Sequence, residues 1–198
     1  MGKEPHNVNA FTNISIGEYT LLKGKSKETV DAIVKSVKSN NSLRVGKFNV
    51  KPKQFDFWNF SWGEIILLRE AIEIQDLQQV MYLVYGVRAS KFAQINIYNC
   101  FAIYKWINEK LKEITELEIQ ELGGKVTIEE EEAGVEMLNA FGYSVSVDVL
   151  AGGDILKHEE VLAKPYIVIF KKLCLNKTKY EIQKNYAENA RKKNKTNS

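Results

Sequence analysis

Apolar residues along this chain recur mostly at steps of three and four, and they seldom alternate, so the pattern predicts helices. Thr29 to Lys38 carries Val30, Ile33, Val34 and Val37 at that spacing, and Asn40-Asn41-Ser42 ends the helix. The best-specified stretch runs from Phe55 to Gly86, where two short helices each have a start signal. Ser61 stands three residues before Glu64, ahead of an apolar run, which is the Ser-x-x-Glu capping box. Asp76 can cap a second helix holding Leu77, Val80, Met81, Val84 and Tyr85, and Gly86 stops it. The longest pattern extends from about Ile95 to Leu122. Ile97, Phe101, Tyr104, Ile107, Leu111, Ile114 and Leu117 form one stripe, Trp106 lies beside it, and Gly123-Gly124 ends it. Thr127 and Glu130 make a second capping box. Glu129 to Glu132 then fill a first turn, where the positive helix end favours carboxylates.

Beyond that point the pattern reads helix, break, helix. Gly152-Gly153-Asp154 gives a turn and an N-cap for Ile155 to Leu162, and Pro165 suits the first turn of the next helix. Tyr166 to Phe170 leads into Leu173, Leu175, Ile182, Tyr186 and Ala190, so one apolar face continues into a polar tail. A projecting amphipathic helix of this kind suits partner binding. Alternation is confined to Leu43–Val50, the best strand, stopped by Lys51-Pro52. Tyr143–Val149 also alternates, and both a strand paired with 43–50 and a helix are open there. The expected fold is mainly α, with at most a small β element. A flexible arm at 1–12 and a helical domain at 13–175 precede a basic helical extension and tail at 176–198.

Composition narrows the class. The 198 residues are 44% apolar, enough for a core, and no run of about 18 uncharged apolar residues is present to span a membrane. The first residues lack the apolar region of a secretory signal, and His6 stands where a myristoylation signal needs Ser or Thr. Cys100 and Cys174 are too few for a disulfide framework and read as buried thiols in helices, in a reducing compartment. The net charge of +3 is unevenly spread. Residues 1–53 carry ten Lys or Arg against four Asp or Glu, and residues 109–132 carry nine Glu against three Lys. Residues 176–198 carry seven Lys or Arg against two Glu. These blocks can be solvated faces, can fold against each other, can guide a head-to-tail contact between copies, or can let the ends touch nucleic acid.

Candidate chemistry is sparse. With only His6 and His158, a histidine-based triad or metal cluster has little to draw on, and His158 between Lys157 and Glu159-Glu160 reads as a solvated side chain. Four adjacent carboxylates at 129–132 point around a helix axis rather than converge. Lys23-Gly24-Lys25-Ser26 imitates the end of a phosphate-binding loop, but Tyr19 stands where that loop needs glycine. Gly152-Gly153-Asp154 lacks the third glycine of a dinucleotide fingerprint. The basic tail gives nucleic acid a modest case, with Lys177, Lys179, Lys184, Arg191, Lys192 and Lys193 as phosphate contacts and no recognised DNA- or RNA-binding motif beside them.

The segment FSWGEIILLREAIEIQDLQQVMYLVYGV resembles the compact helical blocks of small structural and assembly proteins of tailed bacteriophages. An aromatic or Leu before Ser/Thr-x-Gly-Glu/Gln opens a helix there and an acidic cap starts the next. Those positions are Phe60, Ser61, Gly63, Glu64 and Asp76 in this chain. LAGGDILKHEEVLAKPYIVIFKKL is similar in style to the same group, which includes tail-assembly chaperones and virion proteins of phages infecting Bacteroidetes. Together the two segments cover 52 of the 198 residues, and the Lys- and Asn-rich composition suits an AT-rich genome.

The resemblance implies a non-catalytic, multi-copy virion tail or head–tail component, in the virion or the host cytoplasm. Its partners would be copies of itself and other phage structural proteins, and it implies no cofactor or metal. An assembly chaperone and a nonspecific nucleic-acid-binding accessory protein are the alternatives. An enzyme using carboxylates of 129–132 or of Asp148 to Asp154 is the remaining rival. Trp58, Trp62, Leu175, Ile182 and Tyr186 are the candidate interface anchors, with burial in the core the preferred reading for Trp62.

Overall fold

A computed structural model describes residues 13–124 and 128–196. The expected arm at 1–12 and the Thr127 cap lie outside these residues. The fold is mainly α. Its helices are α1 (Ile16–Tyr19), α2 (Gly24–Ser36), α3 (Trp62–Glu73), α4 (Leu77–Tyr85), α5 (Ala89–Phe92), α6 (Ile97–Leu122), α7 (Ile128–Glu132), α8 (Tyr143–Ala151), α9 (His158–Leu162) and α10 (Tyr166–Thr196). Strands β1 (Leu43–Val45) and β2 (Phe48–Val50) form a two-stranded antiparallel sheet. The chain divides into two compact units. One comprises 13–55 and 67–112, and the other comprises 56–66, 113–124 and 128–196, so α3 and α6 are each shared between them.

In the first unit, the residues before α1 join the start of α6 through a backbone bridge. Ile16 N–H donates to Ile95 O at 2.8 Å, and Ile97 N–H donates to Ile14 O at 2.8 Å. Ser15 caps α1 in a box with Glu18, whose carboxyl the Ser15 amide and hydroxyl hold below its usual range. The Tyr19 hydroxyl donates to Asp31 at 2.5 Å, which pushes the phenol up to about 12. Helix α2 begins five residues before the expected Thr29, at Gly24 in the left-handed region (φ +55°). Its last turn is closed from outside. Lys105 Nζ donates to Lys35 O at 2.9 Å and Val37 O at 2.6 Å.

The alternating run at 43–50 is not one strand awaiting a distant partner. It folds on itself, pairing Leu43 with Val50 and Val45 with Phe48 across a turn at Gly46-Lys47, because Gly46 takes φ +57°. The core of this unit gathers Val30, Leu43, Val80, Met81, Val84 and Ile95 with one face of α6. That face is Ile97, Cys100, Ile103, Ile107 and Leu111, at steps of three and four. Phe101 and Tyr104, placed on the stripe by the sequence pattern, are half-buried at its margin. Gly86 ends α4 at φ +69°, as expected, and Asp76 starts it by accepting from Gln79 N–H at 2.9 Å.

In the second unit, the expected box at Ser61 is present. Ser61 N–H donates to the Glu64 carboxylate at 3.0 Å, and Glu64 N–H donates to Ser61 Oγ at 3.2 Å. The same segment pairs with the start of α10. Trp62 N–H donates to Lys164 O at 2.9 Å, and Tyr166 N–H donates to Phe60 O at 2.8 Å. The buried side chains are Phe57, Phe60, Trp62, Ile65, Ile114, Val147, Ala151, Tyr166 and Ile169.

The strand considered at Tyr143–Val149 is corrected to helix. Val147 and Ala151, four apart, are its buried positions, and left-handed Gly152 ends it. The helix expected over Ile155–Leu162 is split into a 3-10 turn at Ile155–Lys157, capped by Asp154, and α9. A further 3-10 segment spans Val135–Phe141. Helix α10 passes through position 176 without a break, and its side chains from 185 to 193 are all exposed.

Candidate interaction surfaces

The second unit holds all of the side chains proposed from sequence as partner anchors or phosphate contacts. Trp58 is half-buried. Its indole stacks on Tyr166 with ring centroids 5.5 Å apart and planes 4° from parallel, and it meets Phe170 at 5.0 Å. The Tyr166 hydroxyl donates to Glu118. Trp62 is 2% exposed and is a core side chain, so it presents no surface to a partner. Leu175, Ile182 and Tyr186 are exposed on α10. They lie on another side of the helix from Leu173, Lys177, Tyr180 and Lys184, the residues that continue the packed face begun by Tyr166 and Ile169.

Lys177 and Lys184, two of several proposed phosphate contacts that already have partners, are held by acceptors in this unit. Lys177 Nζ donates to Glu121 O at 2.9 Å and Gly123 O at 2.7 Å, so its charge sits on the carbonyl end of α6, where a cation is favoured. Lys184 lies 3.7 Å from Glu130, which also accepts from the Tyr180 hydroxyl at 2.6 Å. That contact with Glu130 raises the phenol of Tyr180 above its ordinary range. Lys179, Arg191, Lys192 and Lys193 are exposed along α10.

Among the described residues, the carboxylates considered for catalysis do not converge. Asp148 lies 3.3 Å from His158 Nε2, while Asp154 accepts from Leu156 N–H and pairs with Lys157 at 3.0 Å. Glu130 faces α10, and Glu131 and Glu132 are exposed. Among the described residues no three His, Cys, Asp or Glu side chains are grouped to hold a metal, and no helix is long and apolar enough to cross a membrane. Cys100 is buried and its thiol is pushed up to about 12 by burial. Cys174 is half-buried rather than buried, and its thiol is raised first by desolvation and then by Glu121.

The surface that sequence reasoning missed runs from the 3-10 segment through α8 to α9. Met137, Leu138, Phe141, Val149, Ile155 and Leu156 are all exposed there, Phe141 at 63% and Leu156 at 85%. Met137, Leu138 and Phe141 stand at steps of three and four, a helical spacing that does not by itself show whether the face is covered. A cluster of large apolar side chains on a surface marks an interaction site.

The first unit has a groove of its own, a cavity of about 420 Å³ between the β1–β2 hairpin and the segment that follows α4. Val45, Phe48, Val50, Tyr85 and Val87 supply apolar walls, and Lys47, Arg88, Lys91 and Gln94 supply polar ones. Its shape depends on two glycines. Gly46 turns the hairpin and Gly86 redirects the chain out of α4, both at positive φ. No carboxylate lines it. Comparison of the chain with family models, with curated proteins and with solved structures finds no match in any of the three.

Proposed function

We propose that this chain is a non-catalytic structural or assembly protein of a tailed bacteriophage, working in multiple copies through protein–protein contacts as a virion tail or head–tail component. The observation that carries the reading is the group of large apolar side chains left in solvent on the second unit, from Met137 to Leu156. Leu, Ile and Phe side chains exposed to this degree each forgo part of the about 1.5–3 kcal/mol that full burial is worth, which association with another surface recovers. The phage assignment is supported by the resemblance of the Phe60–Val87 and Leu150–Leu173 segments to assembly proteins of that group.

The test is the native mass of the purified chain. A closed oligomer of several copies supports a virion component. A monomer that binds a second phage polypeptide stoichiometrically supports an assembly chaperone instead. A monomer that binds neither itself nor another polypeptide removes both. Nucleic-acid binding is the reading favoured by exposed Lys179, Arg191, Lys192 and Lys193. It requires affinity that falls steeply between low and high salt, because phosphate contacts release counterions.

A further inference from the structure

The groove of the first unit and the acidic apolar segment of the second are complementary in chemistry. Around the groove, Val45, Phe48 and Val87 offer an apolar floor, and Lys47, Arg88 and Lys91 stand exposed at its edge. None of these three cations pairs with a carboxylate among the described residues. In the second unit, Met137, Leu138 and Phe141 project from the 3-10 segment into solvent. Glu131, Glu132 and Glu136 lie within ten positions of Phe141 and are exposed as well, and none of them pairs with a cation among the described residues. One surface is apolar and cationic, the other apolar and anionic.

We propose that the groove takes the 131–141 segment of a second copy of this chain. Phe141 and Leu138 enter the apolar floor, and the three glutamates meet Lys47, Arg88 and Lys91. A cavity of about 420 Å³ falls in the range that admits a compact ligand, so it holds a few side chains rather than a whole helix. The occupant is a second copy because this chain itself supplies the one feature the groove selects for, apolar side chains flanked by unpaired carboxylates. The opposed charges orient the approach and penalise groove-to-groove or segment-to-segment pairing. Since the two surfaces differ, the contact is heterologous. Repeated from copy to copy, it closes into a ring or extends into a filament. The proposal rests on the multi-copy reading and gives it a contact.

The experiment is mass photometry of the full chain over a dilution series, at about 0.05 M and about 0.5 M salt. One variant reverses the groove charge (Arg88→Glu with Lys91→Glu), and the other breaks the segment (Leu138→Asp with Phe141→Asp). All four side chains are exposed, so circular dichroism should be unchanged. Each variant alone is expected to need at least about tenfold higher concentration to associate, and the wild-type chain about tenfold more at the higher salt. Mixed, the two variants should form a one-to-one dimer and nothing larger, because each brings the half the other has lost. That dimer also shows that both variants are folded. Wild-type association that both variants retain overturns the contact and leaves the multi-copy reading standing. Dead variants that fail to pair on mixing overturn the head-to-tail arrangement. A wild-type chain that is monomeric at every concentration removes the contact and the multi-copy reading together.

Discussion

Trp62 and Tyr186 are both aromatic residues on predicted helices, and the core burial preferred from sequence for Trp62 alone is what separates them in the fold. Trp62 is 2% exposed among Phe57, Phe60 and Ile65, while Tyr186 stands 74% exposed on α10. Trp62→Ala is therefore expected to cost about 3–5 kcal/mol in urea denaturation, the range for deleting a large core side chain. Tyr186→Ala should stay within about 0.5 kcal/mol. The thiols separate in the same way. A thiol reagent added to the native protein should modify Cys174 alone, and slowly, because its raised pKa keeps the thiolate scarce. Cys100 should react only once the protein is unfolded. Two equivalents consumed at one rate under native conditions would contradict the burial of Cys100.

Helix starts and stops were the readable part of this sequence. Ser61 with Glu64, Asp76 and Gly86 act as the pattern predicts, and Asp154 caps as expected but opens a 3-10 turn instead of the full Ile155–Leu162 helix, since a cap is decided within four residues of chain. Ser61→Ala should accordingly lower stability by about 1 kcal/mol, and Glu64→Ala by a smaller amount on the same denaturation curve. What local pattern could not show are ends satisfied from far along the chain. Lys105 closes α2 across 70 positions, and Lys177 closes α6 across 56. Nothing in the neighbourhood of either lysine announces that role. The Leu43–Val50 run was read correctly as extended, but its own glycine made it a hairpin. Tyr143–Val149 alternates with no available partner strand, and there tertiary burial of Val147 and Ala151 overrode the period of two. The surfaces proposed for assembly were illegible for a related reason. The spacing of apolar side chains on the 3-10 segment does not show whether their face is covered, and the groove is a product of two turns.

At the scale of the whole molecule, the two units differ in how much apolar material they bury. The first has a continuous core of α4, α6 and their neighbours, with Val30, Leu43, Val80, Met81, Ile95, Ile103 and Ile107 each inaccessible to solvent. The second buries a smaller set and leaves the stretch from Val135 to Leu162 with Val147 and Ala151 as its buried apolar anchors. Amide hydrogen exchange should therefore be slowest in α4 and in α6 up to Leu111. It should be markedly faster in the 3-10 segment and α9, reporting local opening well below the global unfolding free energy. Equal protection in both regions would contradict the unequal cores. If the segment docks as proposed, its amides should gain protection as protein concentration rises, while those of α4 do not change.

The backbone pairing of Phe60–Trp62 with Lys164–Tyr166 also bears on the order in which the molecule can be finished on the ribosome. The bridge between Ile14–Ile16 and Ile95–Ile97 can close once α6 begins to emerge, so the first unit has its closing contacts early. The start of α3 has no such option. The Trp58 indole waits for Tyr166 and Phe170, and the backbone of Phe60 and Trp62 waits for Tyr166 and Lys164, so until those residues are synthesised this aromatic segment lacks its closing contacts. A nascent chain stalled before residue 165 would carry its most apolar unfinished surface at that point, where a chaperone or a premature neighbour would first take hold.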